Sequence, residues 1–295
     1  MTFIQTFKKK KIFLILIPLY NDWESVFILI KKIQKLEINN VTIKIIIVND
    51  CSKKLGFFKN LKKKKLIQNL YVLNLKKNFG HDRSIVIGME YIKKKKFSFD
   101  YLITMDSDGE DNPKYLKKIV NLCSKDESKV VICKRAKRRE NFLYKFLYFT
   151  HLIILFIFTF RWINHGGYNS ISKNNLINLL NNKHIWGNYS GTLESLHLKK
   201  TYINTNKSKR YFGPSKTNFF KLIIHSFSIM SVFKKKIILS LFIYMLIVDF
   251  LLIDLNYSKY FFIFTLIFFY LLSTREKKNW KKIVFKNISS FKKIF

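Results

Sequence analysis

The chain has 295 residues, of which 55 are Lys or Arg and 18 are Asp or Glu, so its formal net charge is +37. Hydrophobic residues make up 48% and aromatic residues 17% of the chain, which excludes an intrinsically disordered protein. Three cysteines exclude a disulfide scaffold and fit a reduced, cytosolic environment. The length allows one large domain or two smaller ones.

Short apolar runs alternate with helical patterns over residues 1–135. Continuous apolar runs are typical of strands buried on both faces, and strands that alternate with helices indicate a mostly parallel α/β sheet. The first run also follows a group of lysines, as a signal peptide would, but no small-residue cleavage site comes after it. The predicted strands are Ile12–Leu19, Val41–Val48, Leu70–Leu75, Tyr101–Met105 and Lys129–Cys133, and the predicted helices are Trp23–Leu36, Ser84–Lys93 and Pro113–Leu122.

Each predicted strand ends in a group of polar residues. In open α/β sheets, ligands bind in a crevice outside the carboxyl ends of the strands. The sequence therefore predicts a ligand site at this edge, lined by Asp22, Asp50, Asn78, Asp106, Asp108 and Arg135.

Two acidic segments follow predicted strands. Residues two apart on an extended chain point the same way, so the carboxylates of Asp106 and Asp108 can face one ligand. Such a pair suits a divalent cation that also binds phosphate oxygens, although a solvated turn is the alternative. Asp50 can accept a hydrogen bond from a nucleobase, or it can cap a turn.

Basic residues supply candidate phosphate ligands. Arg135, Arg138 and Arg139 follow the fifth predicted strand, and arginine binds phosphate oxygens through two parallel hydrogen bonds. A basic surface turn is the alternative. The segment Lys209–Lys216 contains an arginine, a glycine, a hydroxyl and a lysine, a combination that suits phosphate binding. The six histidines show no metal-ligand spacing.

The C-terminal region is more apolar. Residues 237–255 are apolar apart from three polar residues, and residues 260–273 form a second apolar stretch. About 20 helical residues cross the hydrocarbon core, so we predict a transmembrane hairpin over residues 231–275, with segments at about 237–255 and 257–273. A basic cytoplasmic tail is predicted over 276–295. Lysines on both flanks place the N-terminal domain, residues 1–230, in the cytoplasm; two buried core helices are the alternative.

A third apolar stretch covers residues 142–160 and is rich in aromatic residues. It is long enough to span, but its internal Lys145 and His151 favour a helix lying in the membrane interface. The lysine runs elsewhere fit solvated faces or a surface attracted to anionic lipid. No stacking or zinc motif of nucleic-acid-binding proteins occurs, so we expect no nucleic-acid partner.

Six motifs, in chain order, resemble those of the family 2 glycosyltransferases with the GT-A fold. The chain looks most like the membrane-associated dolichol- or polyprenyl-phosphate sugar transferases. The family patterns are I-P-x-Y-N-E, V-D-D-G-S, N-x-G-K with a later glycine, D-A-D-L-Q-D-P-P, R-x-x-R and R-x-x-G-x-S-K. The similar segments here are Ile17–Asp22, Ile47–Ser52, Asn78–His81 with Gly88, Asp106–Pro113, Arg135–Arg138 and Arg210–Lys216.

The resemblance implies a role for each matching residue. The donor nucleotide would be bound by Pro18, Tyr20, Asp22, Asp50 and Asp106. The metal, Mg²⁺ or Mn²⁺, would be bound by Asp106 and Asp108, with Glu110 beside it. The diphosphate or the acceptor phosphate would contact Arg135, Arg138, Arg210, Ser215 and Lys216. The catalytic group would thus comprise Asp108, Glu110, Arg135 and Arg210.

The sequence departs from the family pattern at three places. Asn49 replaces an acidic residue, Asp22 is shorter than the usual Glu, and Gly166–Asn169 lacks the Asp and Arg of a G-D-F-R-like stretch. A lipid phosphate acceptor has a second pKa near 6 and needs no general base. A sugar hydroxyl would need one, and Glu110 or Asp111 is the nearest candidate.

The sequence therefore predicts an inverting, metal-dependent glycosyltransferase at the cytoplasmic face of a membrane. It would transfer a sugar from a nucleotide diphosphate to a polyprenyl phosphate or another lipid-linked acceptor. The alternatives are a same-fold enzyme acting on a glycan hydroxyl, a non-catalytic membrane scaffold, and a basic protein that binds nucleic acid or anionic lipid. The expected partners are the donor, the lipid-linked acceptor and membrane lipids, and the sequence is compatible with an oligomer.

Overall fold

A computed structural model describes residues 10–54, 56, 61–126, 128–137, 142–213, 219–252, 260–265, 267–268 and 279–295. Its strands are β1 (Lys11–Leu19), β2 (Val41–Asn49), β3 (Ile67–Leu75), β4 (Tyr101–Thr104), β5 (Val130–Lys137), β6 (His165–Ser172), β7 (Lys200–Asn206) and β8 (Ile288–Lys293). Its helices include α1 (Trp23–Gln34), α2 (His81–Lys94), α3 (Leu116–Lys125), α4 (Phe142–Thr159), α5 (Lys173–Asn181), α6 (Tyr189–Ser195), α7 (Phe219–Val232), α8 (Lys234–Leu252) and α9 (Trp280–Lys286). A 3-10 turn at Pro113–Tyr115 precedes α3, and residues 260–265 are helical.

The strands form one sheet in the order β7-β5-β6-β4-β1-β2-β3-β8. The five predicted strands are confirmed, and β1 lies between β2 and β4, parallel to both. Phe13, Ile15 and Ile17 pack on one face with α1 and α3, whereas Leu14 and Leu16 pack on the other face with α2. Because both faces are covered by helices, β1 is apolar from Ile12 to Leu19, as its sequence indicated.

Strand β6 was not predicted, and it makes the sheet mixed. It lies antiparallel between β4 and β5, and β7 then pairs parallel with β5. Its sequence, HGGYNSIS, has no apolar run. Its buried polar groups are hydrogen-bonded instead: Tyr189 donates to the amide oxygen of Asn169, and Thr104 donates to the carbonyl of Gly167. The sheet is still mostly parallel, as predicted.

The end of the chain completes the far edge of the sheet. β8 pairs antiparallel with β3. Phe291 stacks on Tyr71 at a centroid distance of 5.2 Å and makes a tilted contact with Tyr91 at 5.0 Å. The prediction of a basic tail over 276–295 is therefore wrong for its described part, residues 279–295. The strand was not predicted because this segment is rich in lysine and has few apolar residues. Its Phe291 nevertheless joins an aromatic cluster.

Helices α4, α7 and α8 form a separate apolar layer. Their inner sides meet around a cluster that includes Leu155, Ile229, Met230 and Leu241. Helix α4 coincides with the stretch predicted at 142–160. Of the helices in the described ranges, none is both long and apolar enough to cross a membrane. The turn of the predicted hairpin, residues 254–259, lies outside the described residues.

Candidate active site

Polar side chains collect at the carboxyl ends of the parallel strands. Asp22 follows β1, Asp50 follows β2, and Asp106 and Asp108 follow β4. Arg135, on β5, places its Nη2 atom 3.8 Å from Asp106 Oδ2. The sequence therefore predicted correctly that this edge brings acidic and basic groups together.

Arg210 bridges two carboxylates of this site. Its Nη1 donates to Asp108 Oδ2 at 2.5 Å, and its Nη2 donates to Asp22 Oδ2 at 3.3 Å. Asp22 also accepts a 2.5 Å hydrogen bond from the Ser25 hydroxyl, which sets the carboxylate orientation. The Arg210 Nε atom is buried and has no hydrogen-bond partner among the described residues, so one N–H of the guanidinium is left for a ligand.

The segment that carries Arg210 lies across the loop after β4. The Ser208 amide donates to the Glu110 carbonyl at 3.0 Å, and the Tyr211 amide donates to the Asp108 carbonyl at 2.9 Å. Gly109 has a φ of +88°, and a Cβ there would lie 2.4 Å from the Tyr211 ring, so only glycine fits. Backbone contacts thus place the predicted Arg210 loop over the predicted acidic motif.

The carboxylates of this loop differ in their pKa values because their surroundings differ. Burial would raise the pKa of Asp106, but the adjacent His81 and Arg135 lower it to about 2. Burial, together with Asp106 and Glu110, raises the pKa of Asp108 to about 6. Burial and the charge of Asp106 raise the pKa of Asp111 to about 8.

The two candidate bases for a hydroxyl acceptor are already engaged. Glu110 Oε2 lies 3.0 Å from Lys207 Nζ in a pair with little solvent exposure. Asp111 is buried, and its Oδ2 accepts a hydrogen bond from the Asp106 amide at 2.9 Å. Asp111 therefore holds the backbone of the acidic motif in place.

His81 contacts Asp106 from the amino end of α2. Its Nε2 lies 2.7 Å from Asp106 Oδ1 and its Nδ1 lies 3.1 Å from Asp82 Oδ1. Partial desolvation would lower the pKa of His81, but these two carboxylates raise it well above the ordinary value. Fixed on both sides, the imidazole holds Asp106 in one orientation.

Asp50 is buried behind the loop that follows β3. Its two carboxylate oxygens accept hydrogen bonds of 2.8 Å from the amides of Phe79 and Gly80. Burial raises its pKa, and these amides partly oppose that shift. Asp50 therefore shapes the turn that begins α2, and a nucleobase would have to use its remaining lone pairs.

The other predicted ligands lie in different places. Pro18 is buried in β1 opposite Val48, while Tyr20 at the strand end is 41% exposed beside the site. Asn78 donates to the Asp50 carbonyl at 3.3 Å. The remaining predicted phosphate ligands, Arg138, Ser215 and Lys216, lie outside the described residues.

The acidic motif fits a metal that shares its coordination with a substrate. Within the described ranges, no group of three or more His, Cys, Asp or Glu side chains is arranged to hold a metal ion. Mg²⁺-type sites commonly use one or two carboxylates and complete their coordination with substrate phosphates and water. Asp106 and Asp108 offer such a pair, so the residues present suit a cation that arrives with a diphosphate.

Sequence reasoning assigned no role to several residues of this site. His81 stands in the N-x-G-K-like motif where the family has lysine, which was the one available signal. Asp82 and Lys207 carry no motif. Asp82 contacts its chain neighbour His81, whereas the contact of Lys207 with Glu110 arises only when distant segments meet.

A three-layer α/β fold with acidic and basic side chains at the carboxyl edge of parallel strands defines an enzyme domain of the nucleotide-binding class. Residues 14–186, more than half of the chain, match glycosyl transferase family 2, and the chain therefore belongs to that family. This confirms the family that its motifs resemble.

Solved structures with low sequence identity share the fold. The chain is similar to glucosyl-3-phosphoglycerate synthase from Mycobacterium tuberculosis, solved with Mn²⁺, UDP and glucosyl-3-phosphoglycerate. The TM-score is 0.51 at 14% identity, over 77% of this chain and 80% of that chain. A 1–349 fragment of TarS from S. aureus has a TM-score of 0.47 at 14% identity, over 76% of this chain and 64% of the fragment, less than two thirds of its length. None of the proteins with curated descriptions matches the chain.

Proposed function

We propose that this protein is an inverting, metal-dependent glycosyltransferase that moves a sugar from a nucleotide diphosphate to a lipid-linked phosphate at a membrane. The observation that carries the transferase part is the position of Asp106 and Asp108 beneath Arg210 at the carboxyl edge of the sheet. Family membership supports it, and the structurally similar synthase was solved with Mn²⁺ and UDP.

The chain's own residues supply positioning and positive charge. Arg210 and Arg135 can bind the diphosphate that departs, and the unpartnered Arg210 Nε gives an oriented donor for it. A Mg²⁺ or Mn²⁺ ion held by Asp106 and Asp108 would supply further neutralisation of the leaving group. Direct attack by the acceptor on the anomeric carbon breaks its bond to the diphosphate and inverts its configuration.

A phosphate acceptor agrees with the state of the acidic side chains. Its second pKa is near 6, so it is already a nucleophile at neutral pH. Glu110 is paired with Lys207, and Asp111 is committed to the Asp106 amide. Neither is free to take a proton from a hydroxyl, which favours the phosphate over the glycan hydroxyl.

The apolar layer supports a membrane location. Outer side chains of α4 and α8 are large and exposed: Phe146 and Leu239 are each 57% exposed and Phe250 is 85% exposed. A contiguous apolar surface of this kind is rare on a soluble monomer and marks a partner or a bilayer. We assign α4 to the membrane interface and residues 231–275 to a hairpin.

Positive charge favours the cytoplasmic side for the catalytic domain. Lys234, Lys235 and Lys236 precede the apolar part of α8, and the returning chain carries Lys281 and Lys282 in α9. Since α9 and β8 rejoin the sheet, the segment from the start of α8 to the start of α9 would begin and end on the same side of the membrane. An even number of crossings satisfies this condition.

The test uses membranes that contain the wild type, Asp108→Asn or the matched control Asp126→Asn, whose carboxylate lies after α3 at the opposite edge of the sheet. Radiolabelled UDP-, GDP- and dTDP-sugars are offered with Mn²⁺, and label is counted in the organic-solvent extract. We expect lipid label from one donor, retained in the control and reduced at least 100-fold in Asp108→Asn, the order of loss on removing one transition-state charge contact.

Absence of lipid label from every donor, with no nucleotide binding by folded protein, would exclude the proposal. Nucleotide binding without lipid label would instead favour a glycan hydroxyl as the acceptor.

A further inference from the structure

A chain of hydrogen bonds connects the acidic motif to helix α7 in the apolar layer. Asn188 Nδ2 donates to the Ser228 hydroxyl on α7 at 3.0 Å and to Asp82 Oδ2 at 2.9 Å. Asp82 Oδ1 lies 3.1 Å from His81 Nδ1, and His81 Nε2 lies 2.7 Å from Asp106 Oδ1. Four contacts thus join five side chains, and all but the neighbours His81 and Asp82 come from segments far apart in sequence.

The middle of this chain has little freedom to rearrange. Asn188 is fully buried, and its Oδ1 accepts a 2.6 Å hydrogen bond from the Gly191 amide at the start of α6. Its oxygen is therefore occupied by a backbone donor, and only its NH₂ group can face Asp82 and Ser228. The orientation of the Asn188 amide consequently determines where the Asp82 carboxylate lies.

The His81 ring lies close to the sheet. A Cβ placed on Gly167 of β6 would lie 3.4 Å from His81 Cε1 and 3.8 Å from Asp106 Oδ1, both ordinary van der Waals distances. The ring and the Asp106 carboxylate therefore both face the Gly167 backbone. With Asp82 on one nitrogen and Asp106 on the other, the direction of the ring is set by both contacts.

We propose that Asp82 and Asn188 are positioning residues that act through His81 to orient the Asp106 carboxylate. They touch neither donor nor acceptor. Their role rests on the proposed function, because it requires Asp106 to be a ligand in the donor site. Partners behind a ligating carboxylate commonly change metal affinity by about 10–100-fold when they are removed.

Two variants break the chain at different links. Asp82→Asn is nearly isosteric, but its amide offers one acceptor and one donor where His81 and Asn188 need two acceptors. Asn188→Ala removes the donor to Asp82 and also the α6 cap, so it serves as the less conservative variant. Ser195→Ala is the matched control, because its hydroxyl donates within the same helix to the Thr192 carbonyl.

The first measurement is the imidazole ¹⁵N spectrum of His-labelled protein in detergent, which has six histidines to resolve. The His81 signals are assigned by their loss in His81→Gln. We expect the hydrogen-bonded His81 Nδ1 signal to be lost or shifted in Asp82→Asn and Asn188→Ala and unchanged in Ser195→Ala. Unchanged His81 signals in both link variants would overturn the proposal whether or not the protein is a transferase.

The second measurement is the Kd for Mn²⁺ in the presence of UDP, GDP or dTDP, from the electron paramagnetic resonance signal of the free ion. We expect about 10–100-fold weaker binding in Asp82→Asn and Asn188→Ala, and wild-type binding in Ser195→Ala. A folded variant could lose the His81–Asp82 contact and still bind Mn²⁺ with the wild-type Kd. That result would show that these residues have only a structural role and would overturn the proposal. Failure of the wild type itself to bind Mn²⁺ with any of the three nucleotides would overturn the metal site of the proposed function, and the imidazole spectra would then decide the positioning role.

Discussion

Individual buried charges in this protein take their properties from their neighbours. Glu194 on α6 is 8% exposed and lies between two cations and an imidazole: His165 Nε2 at 3.3 Å, and Arg161 and Lys200 each at 3.6 Å. Burial would raise its pKa, but the hydrogen bond with His165 and the charges of Lys200 and Arg161 lower it. The cluster joins the segment after α4 to β6 and β7, so it stabilises the connection between the apolar layer and the sheet.

Glu194→Gln should lower the free energy of unfolding by about 3 kcal/mol at pH 7, because it leaves the partly buried Lys200 and Arg161 without their anion. A carboxyl whose folded pKa is lowered contributes stability above its unfolded pKa, and that contribution is lost as the pH falls through the folded value. The difference from the wild type should therefore be constant above about pH 5 and shrink at lower pH.

Denaturant titrations at pH 7 and pH 4 measure this difference, with the exposed Glu37→Gln as the control. A pH-independent difference would contradict the assignment of the stability to the Glu194 charge.

Residues of the acidic motif could be predicted because their chemistry is local. Asp106 and Asp108 stand two apart at a strand end, a pattern that a sequence displays directly. His81, Asp82 and Asn188 could not be predicted as a group. Asp82 and Asn188 are 106 residues apart, and no sequence pattern indicates that their side chains form a hydrogen bond.

Elements of the sheet are fitted to one another by small residues. Gly88 on α2 lies against β1 and β2, and a Cβ there would be 2.7 Å from both Leu16 Cδ1 and Val48 Cγ2. Both side chains are fully buried and have no free volume to move into. The glycine in the family-like motif is therefore needed for close helix–sheet packing.

Gly88→Ala should destabilise the protein by about 1–3 kcal/mol, since overpacking a buried contact outweighs the better helix propensity of alanine. In a Val48→Ala background the same substitution should cost less, because one of the two close contacts, the one with Val48 Cγ2, is removed while the one with Leu16 remains. Thermal unfolding of the two single variants and the double variant measures this coupling. Additive effects would show that the Gly88–Val48 contact is not the cause.

The whole molecule is closed by a strand from the far end of the chain. β8 adds to β3 after α8 and α9, so in the proposed membrane topology residues 279–295 lie on the same side as the sheet. The pairing of β8 with β3 therefore predicts which residues lie on the same side of the membrane, and chemical labelling can test that prediction.

The labelling experiment uses three variants, in each of which one serine (Ser98, Ser258 or Ser289) is replaced by cysteine. The variants also carry Cys51→Ser. The other two native cysteines, Cys123 and Cys133, can stay because they are buried. In intact cells an impermeant maleimide should label the protein at position 258, whereas positions 98 and 289 should react only after the membrane is opened. Different sidedness of 98 and 289 would contradict the pairing of β8 with β3. Equal labelling of 258 and 98 would contradict the hairpin.

The sequence by itself determined the parallel half of the sheet, the acidic motif and the family. These depend on apolar runs, strand-end polar groups and short spacings, all of which are local. The tertiary structure decided the rest. It inserted the polar strand β6 between β4 and β5, and it drew the lysine-rich C-terminus into the sheet as β8. It also placed Arg210 between Asp22 and Asp108. Those features depend on hydrogen bonds and packing between segments far apart in the chain, which become favourable only once the buried core has brought the segments together.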